Sequence, residues 1–223
     1  LCIVPLLFAG SVLFANDIYV TQSGDTLDLD ITQDGQNNTV GNSSTASSST
    51  GATTTLNIDQ IGNSNVITYQ INGATYTGVI NLVGNSNNVD LNCDSTGNNS
   101  SCGTANAVIN FTGNSNDIDL DIGQTASANN ADVDIVGQSG SDSNVVAATV
   151  DGNSAILTIT VNGDTNNWLI DMDGNGDING HTLIHTHTGG IADVDIVQSG
   201  VNDQMITLTT SGDNHDIDIQ QTD

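Results

Sequence analysis

No lysine and no arginine occur anywhere in the 223 residues, against 26 acidic side chains, for a formal net charge of −26. Glutamate is missing as well, so every acid is an aspartate. With no cation to neutralise phosphates, nucleic acid is excluded as a partner, and so is electrostatic attachment to anionic lipid. Aromatics make up only 3%, too few for a globular core built on large rings. No segment beyond the first residues is apolar enough to span a bilayer. Catalytic signatures are missing too. There is no Gly-x-Ser-x-Gly and no arginine to hold an anionic substrate, and all four histidines fall between His181 and His215. An enzyme is not expected.

What remains is a normal aliphatic content with charged residues at 12%, which is not the composition of a disordered polyanion. Ser, Thr, Asn, Gly and Asp fill the rest, turn formers and poor helix formers. The opening "LCIVPLLFAGSVLFAND" is a short apolar run, then small residues, then polar chain. That pattern is the end of a secretory signal, with cleavage expected after Ala15. Residues 1–15 are read as the signal and 16–223 as the exported domain, with no membrane insertion once the signal is removed. The sequence starts at Leu1 without a basic region, so it reads as truncated there, and Cys2 precedes the apolar run, which argues against a lipid anchor. Cys93 and Cys102 flank "DSTGNNSS". In a secreted chain a disulfide closing this loop is expected, with two free thiols as the alternative.

The strongest signal is repetition. "INLVGNSNNVDL" (80–91) returns as "INFTGNSNDIDL" (109–120). Anchored on glycine, the rule is apolar-x-apolar-x-(Gln or apolar)-x-Gly-x-x-Asn-x-apolar-x-apolar. Its anchors are Gln33, Gly35 and Asn38; Gln60, Gly62 and Asn65; Gly84 and Asn87; Gly113 and Asn116; Gly163 and Asn166; and Gln198 with Gly200. Gly140 marks a degenerate copy, and Gly24 and Gly212 read as half-units at the ends. Period two on both sides of a turn means two strands with one buried face each. Gly with Asn three residues later fits a tight turn needing positive φ. One unit cannot bury its own face, whereas stacked units can. The expected fold is all-β, a β-solenoid of strand-turn-strand rungs, about seven in number.

"QDGQNNTV" (33–40) and "QIGNSNVI" (60–67) resemble the Gln-x-Gly-x-x-Asn core of the curlin repeat, the unit of curli amyloid subunits. "QSGVND" (198–203) is a near miss, and other rungs keep Gly-x-x-Asn with Leu82, Phe111 or Val161 in the Gln place. The resemblance implies a fibre subunit that partners itself, exported by an outer-membrane secretion apparatus to the surface of a Gram-negative cell for adhesion and biofilm matrix. The residues point the same way. Inward glutamines stacked about 4.8 Å apart can hydrogen-bond along the stack, and a solenoid ends in two open sheet edges.

Aspartates take the other parity, as in "LDLDI" (27–31) and "IDLDI" (118–122), so they should point outward. Their counterions must come from solvent, which suggests a salty, marine habitat. "DMDGNGDIN" (171–179) has calcium-loop spacing, with Asp171, Asp173, Asn175 and Asp177 as candidate ligands around Gly176. Thr182 stands where a bidentate acid belongs, and a plain turn is the alternative. His181, His185 and His187 share parity and could hold zinc or copper, pack inward, or lie exposed. Besides the fibre subunit, two readings stay open: a monomeric acidic adhesin or calcium-binding module, and an ice-binding solenoid suggested by "LTIT" and "ITLTT".

Overall fold

The computed structural model describes residues 16–93, 102–123, 130–138, 140, 142–152, 154–173, 180–200 and 204–222, and among these there is no helix. The sole proline, Pro5, precedes them, so every backbone N–H in the stack is free to enter a ladder. The chain opens with strands β1 (Asn16–Ile18), β2 (Thr21–Ser23), β3 (Thr26–Asp34) and β4 (Asn38–Val40). Two long strands follow, β5 (Ser47–Ile61) and β6 (Ser64–Val83), each serving two sides of the stack. Next are β7 (Ser86–Cys93), β8 (Thr104–Thr112), β9 (Asp117–Ile122), β10 (Asn130–Gly137), β11 (Val145–Val150) and β12 (Ser154–Asn162). The last five are β13 (Asn166–Asp173), β14 (Thr182–Thr188), β15 (Ala192–Ser199), β16 (Met205–Ser211) and β17 (His215–Thr222).

All pairing between these strands is parallel, and from β6 onward each strand pairs with the strand two further on. Parallel neighbours need a long crossover, and here the opposite wall is the crossover. The result is a β-solenoid of about seven turns. A front wall holds β3, β5, the later part of β6, β8, β10, β12, β14 and β16. A back wall holds β1, β4, the earlier part of β6, β7, β9, β11, β13, β15 and β17.

In-register stacking turns the repeat into columns. On the front wall Ile31, Ile58, Ile80, Ile109, Ile135 and Ile159 stand on one another, and His185 then Leu208 complete the column. The isoleucines are buried, each worth roughly 1.5–3 kcal/mol of transfer free energy. Aspartates lie on the outer parity, as in β3 and β9. The next front column reads Gln33, Gln60, Leu82, Phe111, Gly137, Val161, His187 and Thr210. Its glycine has a packing cause. A Cβ on Gly137 would come within 2.8 Å of the Phe111 ring and 2.9 Å of Val161 Cγ2.

Two turns differ from the sequence reading. Gln198 stands on the back wall in β15, over Met172, not in the front column with Gln33 and Gln60. Gly200 follows β15 at the opposite corner, where the back wall hands over to the front. The turns of the last two levels lie at Gly189 and Gly212 instead, each with its would-be Cβ against the carbonyl of the glycine one level below. Gly212 therefore closes a full level. The phase was misread because Ala192 and His215 replace the marker asparagine there, while "VDIVQSG" copies the front-strand pattern on a back strand.

The Phe111–Gly137 fit is testable. Gly137→Val should lower stability by about 1–3 kcal/mol, the usual cost of overpacking. Adding Phe111→Ala should recover much of that loss, as read by denaturant midpoints of the two single variants and the double variant.

Candidate functional site

The Gly-x-x-Asn motif does more than make a turn. Asn16, Asn38, Asn65, Asn87, Asn116, Asn144 and Asn166 form one column inside the back wall, and all but Asn16 are buried. Each side-chain amide donates to the Oδ1 of the next. The distances are 3.3 Å (Asn16 to Asn38), 3.1 Å (Asn38 to Asn65), 2.7 Å (Asn65 to Asn87), 2.6 Å (Asn87 to Asn116), 2.6 Å (Asn116 to Asn144) and 2.7 Å (Asn144 to Asn166). The remaining amide protons reach turn carbonyls, as Asn116 does to Gly113 O at 2.6 Å and Asn166 to Gly163 O at 2.8 Å. Buried amides are costly unless paired, and this ladder pairs them. The signal was in the sequence: Asn38 and Asn65 share parity with the inward Val40 and Ile67.

The positive φ expected of these turns falls, outside glycine, on the residue before the asparagine place. Asn37, Ser115, Ser143, Thr165 and Asn214, each just before the asparagine place, have φ between 56° and 60°. At Gly62 and Gly84 the reason for glycine is instead close approach. A Cβ at either would lie 2.3 Å from the carbonyl oxygen of the glycine one level below.

The glutamines form two short ladders, one at each end. Gln60 donates to Gln33 Oε1 at 2.7 Å on the front wall, and Gln221 donates to Gln198 Oε1 at 3.0 Å on the back wall. Above Gln60 stands Leu82, so Gln60 Oε1 has no partner. Cys93 and Cys102 are joined as a disulfide with Cα atoms 5.8 Å apart, and the loop between them lies outside the described residues. Of the calcium-loop candidates, Asp171 and Asp173 lie on the outer face of β13, where burial and then the Asp173 charge hold the Asp171 carboxyl above its usual range. Asn175 and Asp177 lie outside the described residues. Among the described residues no three His, Cys, Asp or Glu side chains converge as a metal set.

Most aspartates stack on neutral neighbours, as Asn57 on Asp30 (2.8 Å) and Asn81 on Asp59 (2.6 Å). Like charges do meet at Asp90 and Asp119, Asp193 and Asp216, and Asp195 and Asp218. Burial raises the Asp119 pKa, with further contributions from Asp121, Asp90 and Asp117. The front wall of the last turns is different. Thr160, Thr186 and Thr209 stack outward, beside Thr158, Ile184 and Thr207, and β12, β14 and β16 carry no charge at all.

The histidines all face inward. His181, His185 and His187 are buried, and both ring nitrogens of His181 and of His185 are without hydrogen-bond partners, as is His187 Nε2. His185 meets the lone tryptophan, Trp168, edge-on at 5.0 Å; His187 meets His215 at 5.2 Å and lies 3.4 Å from the Asn166 amide nitrogen. Burial, then the neighbouring His187, pushes His185 down to about 4. His181 is lowered by burial against the opposing pull of Asp173. His187 is lowered by burial and His215 against Asp164.

No protein family, curated protein or solved structure matches this chain.

The histidines make a pH prediction. Unfolded histidine titrates near 6.5, above the folded value, so between about 6.5 and 4 the unfolded state binds more protons. Stability is then full above pH 6.5 and is lost as pH falls toward 4. At about 1.4 kcal/mol per pH unit of gap, His185 alone withdraws ~3 kcal/mol. Trp168 emission should shift to the red over that window. His185→Leu, continuing the aliphatic column, should remove most of the shift, and an unchanged acid transition in that variant would refute the assignment.

Proposed function

We propose that this chain is the subunit of an extracellular fibre, exported through an outer-membrane apparatus, in which copies stack end to end to build an adhesive matrix. The observation that carries this is the state of the two ends. The inward columns run on to both ends of the stack, where their last members among the described residues are only partly covered. Ile18, Val20, Leu27 and Leu29 are only partly buried at one end, and Ile206 and Ile217 at the other. Ile219 is 48% exposed beside them. An open parallel edge offers a full row of ladder groups, and its side chains already match the columns they would extend. The resemblance to the curlin repeat supports the same reading.

The opposing term is the repulsion of two chains of charge −26. At about 0.5 M salt the screening length falls between roughly 3 and 8 Å. Purified protein should therefore polymerise slowly in dilute buffer and quickly in such salt. The fibres should bind thioflavin and give a reflection at about 4.8 Å along their axis. Ile206→Asp places a carboxylate in the joint at a position the monomer tolerates, and should keep the protein monomeric with its β-rich circular dichroism intact. Wild-type protein that stays monomeric for days in high salt would overturn the fibre.

A second reading draws on the charge-free threonine face of β12, β14 and β16. Stacking gives threonine one fixed outward place across three levels, at Thr160, Thr186 and Thr209. A neutral, regularly spaced hydroxyl and methyl surface suits an ordered neutral partner such as ice. Thermal hysteresis that disappears in Thr186→Asp would support it, and its absence from the wild-type protein would dismiss it.

A further inference from the structure

The two ends do not match in level, and this bears on how copies could join; the inference rests on the fibre reading. At the C-terminal end the top level is complete, with β16 in the front wall and β17 in the back. The other end begins with half a level. β1 pairs with β4 in the back wall, and the chain continues in the same row: Ser48 N donates to Val20 O at 2.7 Å and β2 pairs with the start of β5. Asn16, Ile18, Val20 and Gln22 are thus the back-wall residues of a level that has no front-wall strand among the described residues, where β3 pairs with β5 alone, and that keeps none once residues 1–15 are removed on export as the fibre reading has it.

Stacking two copies as they stand sets β17 against β1 of the next copy. Then β16 and the next copy's β3 are separated by two strand spacings, about 9.6 Å. Neither ladder across that gap is satisfied, and Leu27, Leu29, Ile206 and Leu208 remain uncovered. The outer positions also conflict. The back-wall column runs Asp17, Thr39, Val66 and on to Asp193 and Asp216, so this joint puts Asp216 on Asp17 with no cation near.

A flush joint removes every one of these faults if the N-terminal half-level leaves. Then β16 lies on β3, with Ile206 on Leu29, Leu208 on Ile31 and Thr210 on Gln33. In the back wall β17 takes the place of β1, with His215 on Asn38, Ile217 on Val40 and Asp216 on Thr39. The half-level is held by two short ladders, β1 on β4 and β2 on the start of β5, of three residues each. Beside them stand Asn16 to Asn38 (3.3 Å), Asn42 to Tyr19 OH (2.6 Å), Gly41 N to Ile18 O (2.8 Å), Ser48 N to Val20 O, Val20 N to Ser47 Oγ (3.1 Å) and the Gln33 amide to Asn16 O. Its backbone partners on β4 and β5 are the same ones β17 would use, so the back wall exchanges one strand for another while the front wall gains a whole ladder.

The geometry points to residues Asn16–Ser23 as a removable edge cap that a second copy of this chain displaces, with β17 of one copy replacing β1 of the next. The cap closes the N-terminal edge of a free subunit and opens only to a matching end.

Cysteine pairs on the outer face test the register, because residue 216 and residues 17 and 39 lie at opposite ends of one copy and can bridge only between copies. Fibres of Asp216→Cys/Thr39→Cys, oxidised after assembly, should run as a ladder of covalent oligomers on a denaturing gel. Fibres of Asp216→Cys/Asp17→Cys should stay monomeric there. A second variant locks the cap: Asp17→Cys/Thr39→Cys joins a registered outward pair within one copy. Oxidised, it should elongate about tenfold or more slowly than Asp17→Ser/Thr39→Ser, because a fixed edge strand withholds half the joint. A ladder from the 216/17 pair, no ladder from either pair, or equal elongation of the locked and serine variants overturns the cap and leaves the fibre standing. Failure of the serine control and the wild-type protein to form fibres at all overturns both.

Discussion

Parallel stacking in register is the constraint from which the rest of this molecule follows. Each side chain stands about 4.8 Å from its counterpart one turn away, so a residue must be compatible with copies of itself. Isoleucine meets that demand by simple packing, hence the column from Ile31 to Ile159. Asparagine meets it because one amide carries both a donor and an acceptor, and the chain from Asn16 to Asn166 is satisfied link by link. Glycine at the turns meets it by absence, since the carbonyl one level below fills the place of a Cβ. Aspartate fails the test, and its distribution shows how the chain copes. It is kept to the outer face and mostly set beside Asn or Thr, and the like-charged stacks that remain depend on solvent ions.

Charge and burial pull the pH response in opposite directions. Carboxyls such as Asp119 and Asp171, held above their ordinary range, add stability as acid protonates them. The inward histidines subtract it, beginning nearer neutrality. The two effects are only partly separated in space. Asp119 lies on the back wall of the middle turns, whereas Asp171, in β13, shares the C-terminal turns with His181, His185 and His187. Acid should therefore loosen one end of the stack before it tightens the middle.

The sequence carried the wall structure of the fold but not all of its phase. Period-two alternation and the Gly-x-x-Asn anchors place both walls and most turns, because every anchor from Asn38 to Asn166 is also a ladder member. Where the anchor is replaced, by Ala192 and His215, the period alone cannot distinguish a front strand from a back strand. That is why Gln198 and Gly200 were placed half a turn out. The inward histidines were open for a similar reason: parity put them on one face with Leu183, but only the stacking partners Ile159 and Val161 identify that face as the interior. The uncharged threonine face was hidden because it joins residues 26 and then 23 apart in sequence, such as Thr160, Thr186 and Thr209, across turns of unequal length.

Stability in such a stack is close to a sum over neighbouring turns, so its ends are its weak points, and here they are weak in different ways. The N-terminal edge is a half-level of two short strands over turns in which the asparagine ladder is paired link by link. The C-terminal edge is a full level, but it rests on a layer with unpaired imidazole nitrogens and a tryptophan whose Nε1 has no partner. The asparagine ladder stops at that layer, where Asn166 meets Ala192 along the column and His187 beside it. One end is thus easy to exchange and the other easy to loosen. A solenoid built this way has a direction even though its turns repeat, and any assembly that continues its columns inherits that direction.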